Sequence, residues 1–298
     1  MKVLETVIAR AWVLLFLIGT LFILLAYYRF SGKVTNPAIT AGQLEVPLLL
    51  LGIVLLVGAS VSYLVEKDVS WLPSRDRVMM RPDGVAASYG NATLYVRFGK
   101  LEDKAAACSD RCAVVLPINN YFEERCFDDC RIALGSYLAT NFSPSDVGSI
   151  RAAVDSELVR QYPGVARPFP IGTAVHVKYD GHHMIMPAAS TKQTPQGVKS
   201  EISFLYSAMH GIIERIVEEE IEILYLPLMG AGKGGIPDQV ALLSLLISIC
   251  ESVNRASGHH LREAHIVIFE GPRQKVFPAD ARRIMRMCLA LWSQTSRA

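Results

Sequence analysis

The sequence predicts a two-part chain: an N-terminal helical hairpin that crosses a membrane, followed by an α/β domain. Hydrophobic residues make up 51% of the 298 residues, and the longest apolar segments lie within the first 65 positions. Beyond them, strand-like and helix-like segments alternate, which predicts a largely parallel or mixed sheet with helices on both faces. We therefore expect a transmembrane hairpin at residues 1–70, a linker at 71–90 and a three-layer α/β/α domain with a mixed sheet at 91–298.

Two mainly apolar segments form the predicted hairpin, at about residues 7–28 and 46–65. Each is about 20 residues long, which spans a hydrocarbon core of about 30 Å at a rise of about 1.5 Å per residue. The connector contains Gly32 and Pro37, which favour a turn. A cleaved signal peptide is the alternative for the first segment. Its apolar stretch is too long for one, and a second apolar segment follows at once.

The distribution of charge predicts the orientation of the hairpin. Positive side chains flank its outer ends (Lys2, Arg10, Lys67, Arg75, Arg77 and Arg81), whereas the connector has only Arg29 and Lys33. The positive-inside rule then places the N-terminus and the C-terminal domain in the cytoplasm, with two spans in the cell (inner) membrane. The six cysteines are consistent with free thiols in a reducing compartment. A net charge of +2 gives no reason to expect nucleic acid as a partner.

Periodicity and turn residues predict the elements of the α/β domain. Strands are expected at 93–98, 113–118, 173–179, 183–188, 222–226 and 265–269, and helices at 127–141, 146–161, 200–219, 237–255 and 278–291. The pair Asp180-Gly181 is a strong signal for a two-residue hairpin turn. The segment 71–90 contains several Pro and Gly residues and is therefore interpreted as a linker.

A glycine-rich segment between a predicted strand and helix is the strongest candidate for a binding site. It comprises Gly230, Ala231, Gly232, Lys233, Gly234, Gly235 and Ile236. Glycine permits positive φ angles and close approach of a ligand to the backbone. Because the start of the following helix supplies unpaired N–H groups, the pattern favours a phosphate or diphosphate site.

This loop has three other interpretations. A Walker loop requires Ser or Thr after the lysine, whereas Lys233 is followed by Gly234. The spacing of Gly230, Gly232 and Gly235 satisfies GxGxxG, but a Rossmann domain normally opens with that loop and only one strand-and-helix unit follows it here. A glycine-rich turn that binds nothing stays open as the third interpretation.

The motif Pro-Leu-x-Gly-x-Gly-x-Gly-Gly, followed by a helix that begins with Pro, resembles the diphosphate loop of macro domains, which bind ADP-ribose. Two earlier segments support the resemblance. Residues 94–101 resemble the early macro strand, and residues 114–120 resemble the strand that leads to an asparagine-bearing loop beside the distal ribose. The similarity covers about residues 90–295 and implies a macro-like fold.

The resemblance implies a set of ligand-binding residues at three places. The glycine-rich segment 230–236 would hold the diphosphate, with Lys233 adding charge, and Leu101 would lie at the other end of the ligand. The distal ribose and any appended group would face Asn119, Asn120, Tyr121, Phe122, Glu123 and Asp128. Which asparagine corresponds to that of the family stays open.

The sequence departs from ordinary macro domains at two positions. Lys100 replaces the acid that usually recognises adenine, so adenine recognition is expected to shift to Glu102, Asp103 or the backbone. The glycine triplet after the asparagine loop is replaced by bulky and acidic residues. That change weakens the case for ADP-ribosyl hydrolysis and suggests a ligand with an extra group beyond the distal ribose.

Two spans joined to a divergent macro domain resemble the membrane-anchored effectors of bacterial Thoeris antiphage systems. The resemblance implies a TIR-domain partner enzyme that makes an ADP-ribose-derived signal, such as a histidine–ADP-ribose conjugate. Ligand binding would then drive homo-oligomerisation and disruption of membrane lipids, with abortive infection as the outcome. No catalytic residue and no resident cofactor are expected. The alternatives are a membrane-tethered ADP-ribosyl hydrolase and a membrane-localised ADP-ribose-binding module without killing activity.

A zinc site is a further alternative for part of the domain. The cysteine pairs Cys108/Cys112 and Cys126/Cys130 have a spacing that zinc permits. Packing near the start of a helix is the ordinary explanation for Cys126 and Cys130, so no metal is expected.

Overall fold

A computed structural model of the chain describes residues 78–105, 110–194, 197–255, 260–271 and 275–295, together with Thr20. Apart from Thr20, both predicted spans lie outside these residues. Within these described ranges, no helix combines the length and the hydrophobicity that a membrane span requires. Contacts divide the chain after Leu72, and all elements below belong to the second unit, Pro73–Ala298.

The described part of this unit forms a mixed sheet with helices on both faces. The strands are β1 (Val78–Arg81), β2 (Gly84–Tyr89), β3 (Ala92–Phe98), β4 (Cys112–Val115), β5 (Ile118–Asn119), β6 (Ala174–Tyr179), β7 (His182–Thr194), β8 (Gly197–Lys199), β9 (Ile223–Pro227) and β10 (Glu263–Ile268). The helices are α1 (Leu101–Ala105), α2 (Arg125–Asp128), α3 (Ala133–Asn141), α4 (Pro144–Gln161), α5 (Ile202–Glu218), α6 (Asp238–Arg255) and α7 (Pro278–Thr295).

The strand order is β1-β2-β3-β10-β9-β4-β7-β5, with β6 and β8 also paired to β7. The central run from β3 to β5 is parallel. The pairs β1–β2, β2–β3, β6–β7 and β7–β8 are antiparallel. The sheet is therefore mixed, as the alternation of strands and helices predicts.

Two hydrophobic cores hold the layers together, one on each face of the sheet. Leu205 of α5, Leu245 of α6 and Met285 of α7 belong to the first core. Leu138 of α3 and Val154 of α4 belong to the second core. This arrangement confirms the predicted α/β/α architecture for the part of the chain that is described.

The predicted linker is wrong for residues 78–89, which form the hairpin β1–β2 at the edge of the sheet. Arg81 pairs with Gly84, so Pro82 and Asp83 make the turn. A Pro-Asp-Gly sequence is a specific turn signal, because Pro presets φ and Gly accepts unusual backbone angles. The same residues that indicated a linker therefore join two strands.

The single helix predicted at 127–141 is also wrong, since the structure has α2 and α3 with a break at residues 129–132. The Asp129 carboxylate accepts a hydrogen bond from the backbone N–H of Arg131 at 3.1 Å. A short acidic side chain that binds nearby backbone in this way competes with helix formation. The break between α2 and α3 places Asp129 in the loop that joins the two helices.

Most other predictions agree with the structure to within a few residues, but β7 extends six residues beyond its predicted end. The hairpin at Asp180-Gly181 is confirmed, because Tyr179 of β6 pairs with His182 of β7. The strand predicted at 113–118 is divided into β4 and β5, which flank Pro117. The helix α7 extends four residues beyond its predicted end.

Candidate ligand-binding site

Most of the predicted site residues lie at one edge of the sheet. Strands β3, β10, β9 and β4 are parallel, so the loops that follow them meet at the same edge. In open α/β sheets, ligands bind in the crevice outside the carboxyl ends of the strands. The glycine-rich loop follows β9 there, and the asparagine loop lies at and after β5, which follows β4.

The glycine-rich loop forms a short 3₁₀ turn at Gly232–Gly234 rather than an open coil. The N–H groups of Gly234, Gly235 and Ile236 donate within the loop. Among the described residues, the N–H groups of Ala231, Gly232 and Lys233 donate to no acceptor. Successive free N–H groups form a concave site that favours an anion.

Two glycines keep this turn open. Gly232 has φ +63° and Gly235 has φ +82°, and a Cβ atom added to either would meet nothing within 4 Å. Positive φ is costly for residues with a side chain, which accounts for glycine here. The empty space beside both residues gives a ligand access to the backbone.

The loop rests on neighbouring elements. The N–H of Ser200 donates to the carbonyl of Gly234 at 3.0 Å. A Cβ atom on Gly230 would approach the side chains of Leu205 and Ile236 to 2.9 and 2.8 Å. Ile236 itself is buried, so it anchors the end of the loop. These contacts fix the loop against the start of α5.

The two asparagines of the second loop have different environments. Asn119 is occupied within its own loop: its Oδ1 accepts from the N–H of Tyr121 at 3.1 Å, and its Nδ2 donates to the carboxylate of Glu123 at 2.7 Å. Both groups of the Asn119 amide are therefore used to shape the loop.

Asn120 keeps an acceptor available. Its Nδ2 donates to the carbonyl of Phe169 at 3.2 Å, and its backbone is held by Ser190 and Phe169. The side chain is only 7% exposed, and its Oδ1 has no hydrogen-bond partner among the described residues. A buried acceptor without a donor is costly, so Asn120 is the better candidate for binding a ligand hydroxyl.

The other predicted residues of this loop divide between core and surface. Phe122 is buried and packs edge-to-face on Phe169, with ring centroids 5.6 Å apart, so it holds the loop in place. Tyr121 and Glu123 are half-buried, and Asp128 is exposed.

One polar contact joins the two loops and was missed by the sequence reasoning. Lys233 Nζ donates to Oδ2 of Asp129 at 2.6 Å. Arg131 and Lys233 together hold the pKa of the Asp129 carboxyl well below its ordinary value. The residues are 104 positions apart, so only the folded chain reveals the pair. The acidic sequence Asp128-Asp129 was the sole available signal.

The opposite end of the edge lies at α1 and after β10. Leu101 is buried in the core, and Lys100 and Asp103 are exposed. Glu102 accepts a hydrogen bond from the hydroxyl of Ser136, so its carboxylate is committed to α3. Phe269, which was also missed, follows β10 with 63% of its surface exposed. An exposed aromatic ring at this edge can stack on a nucleobase.

The cysteines give no support to a zinc site. Cys112 is disulfide-bonded, so it supplies no thiolate, and the expectation of free thiols is wrong for this residue. Within the described ranges, no group of three or more His, Cys, Asp or Glu side chains is arranged to hold a metal. Burial and the nearby Glu123 carboxylate raise the pKa of Cys126, and a protonated thiol is a poor nucleophile.

Residues 100–269 match the family described as "Thoeris protein ThsA, Macro domain". The chain belongs to this family. The match covers the asparagine loop, the glycine-rich loop and Phe269, so all parts of the candidate site lie within the ThsA macro domain. No curated protein is significantly similar to the chain.

Solved macrodomains are distant structural relatives. The Oceanobacillus iheyensis macrodomain with ADP has a TM-score of 0.48 and 13% identity, over 70% of this chain and 96% of its own. The Trypanosoma brucei macrodomain in complex with ADP-ribose has a TM-score of 0.41 and 12% identity, over 66% of this chain and 68% of its own. Thermosipho africanus DarTG in complex with ADP-ribose has a TM-score of 0.44 and 13% identity, over 67% of this chain and 47% of its own. These values are too low to assign the fold, which the family match assigns.

Proposed function

We propose that the macro domain of this chain binds an ADP-ribose-derived nucleotide at the edge formed by the two loops. The observation that carries the proposal is the run of three free N–H groups at residues 231–233, beside the ammonium of Lys233. Phosphate oxygens accept hydrogen bonds and carry negative charge, so they match both features. Membership in a macro-domain family supports the same ligand class.

The remaining features fit the other parts of such a ligand. The buried Oδ1 of Asn120 needs a donor, and a ribose hydroxyl supplies one. The exposed ring of Phe269 offers a surface for the base. The ligand would therefore run along the edge, with its base towards Phe269 and its distal ribose towards Asn120.

We further propose that the chain is the membrane-held effector of a Thoeris antiphage system. The ThsA family match and the two apolar segments near the N-terminus support this. A TIR-domain partner would produce the signal, such as a histidine–ADP-ribose conjugate. Binding must favour an assembled state over the resting state, since a ligand with equal affinity for both states changes no population. Assembly would then disrupt the membrane and abort the infection.

Calorimetry on the 298-residue chain in detergent tests the binding proposal. ADP-ribose is expected to release or absorb heat with saturation below millimolar concentration. Gly232→Ala adds a methyl group in the open space beside the free N–H groups and is expected to weaken binding at least tenfold. No heat with the wild-type chain at millimolar ADP-ribose would overturn the proposal.

Gly164→Ala is the matched control. Gly164 has φ +76° and no neighbour within 4 Å of an added Cβ, so it carries the same backbone strain as Gly232, but it follows α4, in a different loop. Its affinity for ADP-ribose is expected to stay within about twofold of wild type. Equal losses in both variants would show that strain, rather than the site, is responsible.

Phage infection tests the effector role. Cells that express the chain with a TIR-domain partner are expected to stop growing on infection, and those with Gly232→Ala to continue. Gly164→Ala should behave as wild type. Growth arrest that persists with Gly232→Ala, despite lost binding, would contradict nucleotide-gated killing.

A further inference from the structure

The ion pair between Lys233 and Asp129 connects the two loops that form the candidate site. The side chain of Lys233 is 49% exposed and that of Asp129 is 21% exposed, with an Nζ–Oδ2 distance of 2.6 Å. The ammonium of the glycine-rich loop is therefore neutralised by a carboxylate of the neighbouring loop.

Asp129 is the fixed member of this pair. Its carboxylate also accepts from the N–H of Arg131 at 3.1 Å and from the Arg131 guanidinium at 2.8 and 3.2 Å. A Cβ atom on Gly135 would approach the Asp129 carbonyl oxygen to 2.5 Å, so α3 packs directly against the Asp129 backbone. The ammonium of Lys233 is carried by a flexible four-carbon side chain, and the Lys233 backbone lies in the open 3₁₀ turn. If the pair separates, Lys233 is the side chain that moves.

A phosphate on the free N–H groups at 231–233 would require the same ammonium. Lys233 is part of that turn, and the carboxylate beside it repels a ligand anion. We propose that the Asp129 carboxylate competes with the ligand for the ammonium of Lys233. It binds Lys233 until a ligand phosphate replaces the carboxylate as the partner of the ammonium. This inference rests on the proposed binding function and assigns to Asp129 the control of affinity at that site.

The inference is tested by calorimetry, which measures the affinity of the 298-residue Asp129→Asn variant for ADP-ribose. The amide keeps an acceptor for the N–H of Arg131 but loses the charge that holds Lys233. Binding is expected to tighten about threefold to fivefold, which is within the range that a partly exposed ion pair supports. The matched control is Asp155→Asn, because the Asp155 carboxylate also forms an exposed ion pair, with Arg167 at 2.6 Å, but lies on α4, outside the candidate site. Its affinity should stay within about twofold of wild type.

Arg131→Gln is a second variant, for which the expected change in ADP-ribose affinity has the opposite sign. Arg131 is 82% exposed, so its loss is tolerated by the fold. Without the guanidinium, Asp129 binds Lys233 alone and competes more strongly, so ADP-ribose is expected to bind about twofold to threefold more weakly. A purely structural role for Asp129 predicts weaker binding in both variants instead, and that outcome would overturn the inference.

A double-mutant cycle separates competition for Lys233 from simple repulsion of the ligand. In the K233Q background, Asp129→Asn is expected to change affinity by less than twofold. A tightening there as large as in the wild-type background would overturn the inference. If wild type and all variants give no heat, the binding proposal itself fails. If all bind ADP-ribose equally, only the role of Asp129 fails.

Discussion

His265 lies at the centre of a stack of three rings on strands β3, β10 and β9. Its ring is 4.3 Å from those of Tyr95 and Tyr225, nearly parallel to both, and its side chain has no exposed surface. The Glu263 carboxylate lies 2.8 Å from Nε2. Burial lowers the pKa of His265 to about 4, although Glu263 opposes the change. The imidazole is therefore neutral in the folded protein near pH 7.

This residue makes stability depend on pH. His265 takes up a proton near pH 6.5 in the unfolded chain but only near pH 4 in the folded chain. The contribution of this residue to the stability of the folded state is therefore complete above pH 6.5 and is lost as the pH falls towards 4. The loss at pH 4.5 is about 2 kcal/mol. His265→Phe keeps a ring in the stack and removes the proton site. In thermal unfolding at pH 7 and pH 4.5, this variant should lose less stability than wild type, and an equal loss would contradict the assignment.

Single side chains also show where sequence reasoning ends. The sequence indicates an asparagine at the distal ribose but does not choose between Asn119 and Asn120. The choice depends on Glu123 and Phe169, which occupy the two amides differently. Asp129 was not predicted, because its partner Lys233 is distant in sequence and contacts of that kind arise only when the loops meet.

Helix α4 shows how local sequence specifies a whole element. Ser143 precedes it, Pro144 occupies the first turn, and Ser143 and Asp146 form a reciprocal capping box. Such a box satisfies two backbone donors that the helix itself leaves unpaired. The sequence prediction began this helix at Asp146, two residues late, and left out the capping residue Ser143.

Loss of the cap should destabilise the domain. Ser143→Ala removes the acceptor for the Asp146 N–H, and a lost N-cap typically costs about 1 kcal/mol. A lower unfolding midpoint is expected, with ADP-ribose affinity unchanged, since α4 lies outside the candidate site. Ser156→Ala is the control, because Ser156 is exposed on the same helix and lies far from its N-terminus. Equal effects of the two substitutions would contradict the role of the cap.

The elements that sequence failed to predict depend on contacts that the residue pattern does not show. Pro82, Asp83 and Gly84 indicate a turn equally well in a linker or in a hairpin, and only pairing with β3 places β2 in the sheet. The break between α2 and α3 depends on one carboxylate that binds its neighbouring backbone. Periodicity predicts strands and helices well where burial is regular, as in β3. It fails where a single polar contact determines the backbone.

The proposal assigns separate tasks to two parts of the chain. In this proposal, the macro domain would recognise the signal through the glycine-rich loop and Asn120. The predicted spans at 7–28 and 46–65 carry no ionisable group at their centres, so a conducting path formed by these helices alone is unfavourable. Damage to the membrane would therefore follow from assembly of many copies, driven by a ligand that favours the assembled state.

Replacement of residues 1–70 by an unrelated two-span anchor separates these tasks. Since the candidate site lies entirely within residues 100–269, ADP-ribose affinity by calorimetry is expected to stay within about twofold of the parent chain. Growth arrest with the TIR-domain partner during infection should be lost, because the new helices would not assemble in the same way. An anchor from a protein of the same topology controls for orientation. If growth arrest survives the exchange, the native hairpin serves only to hold the domain at the membrane, and killing must arise from the macro domain itself.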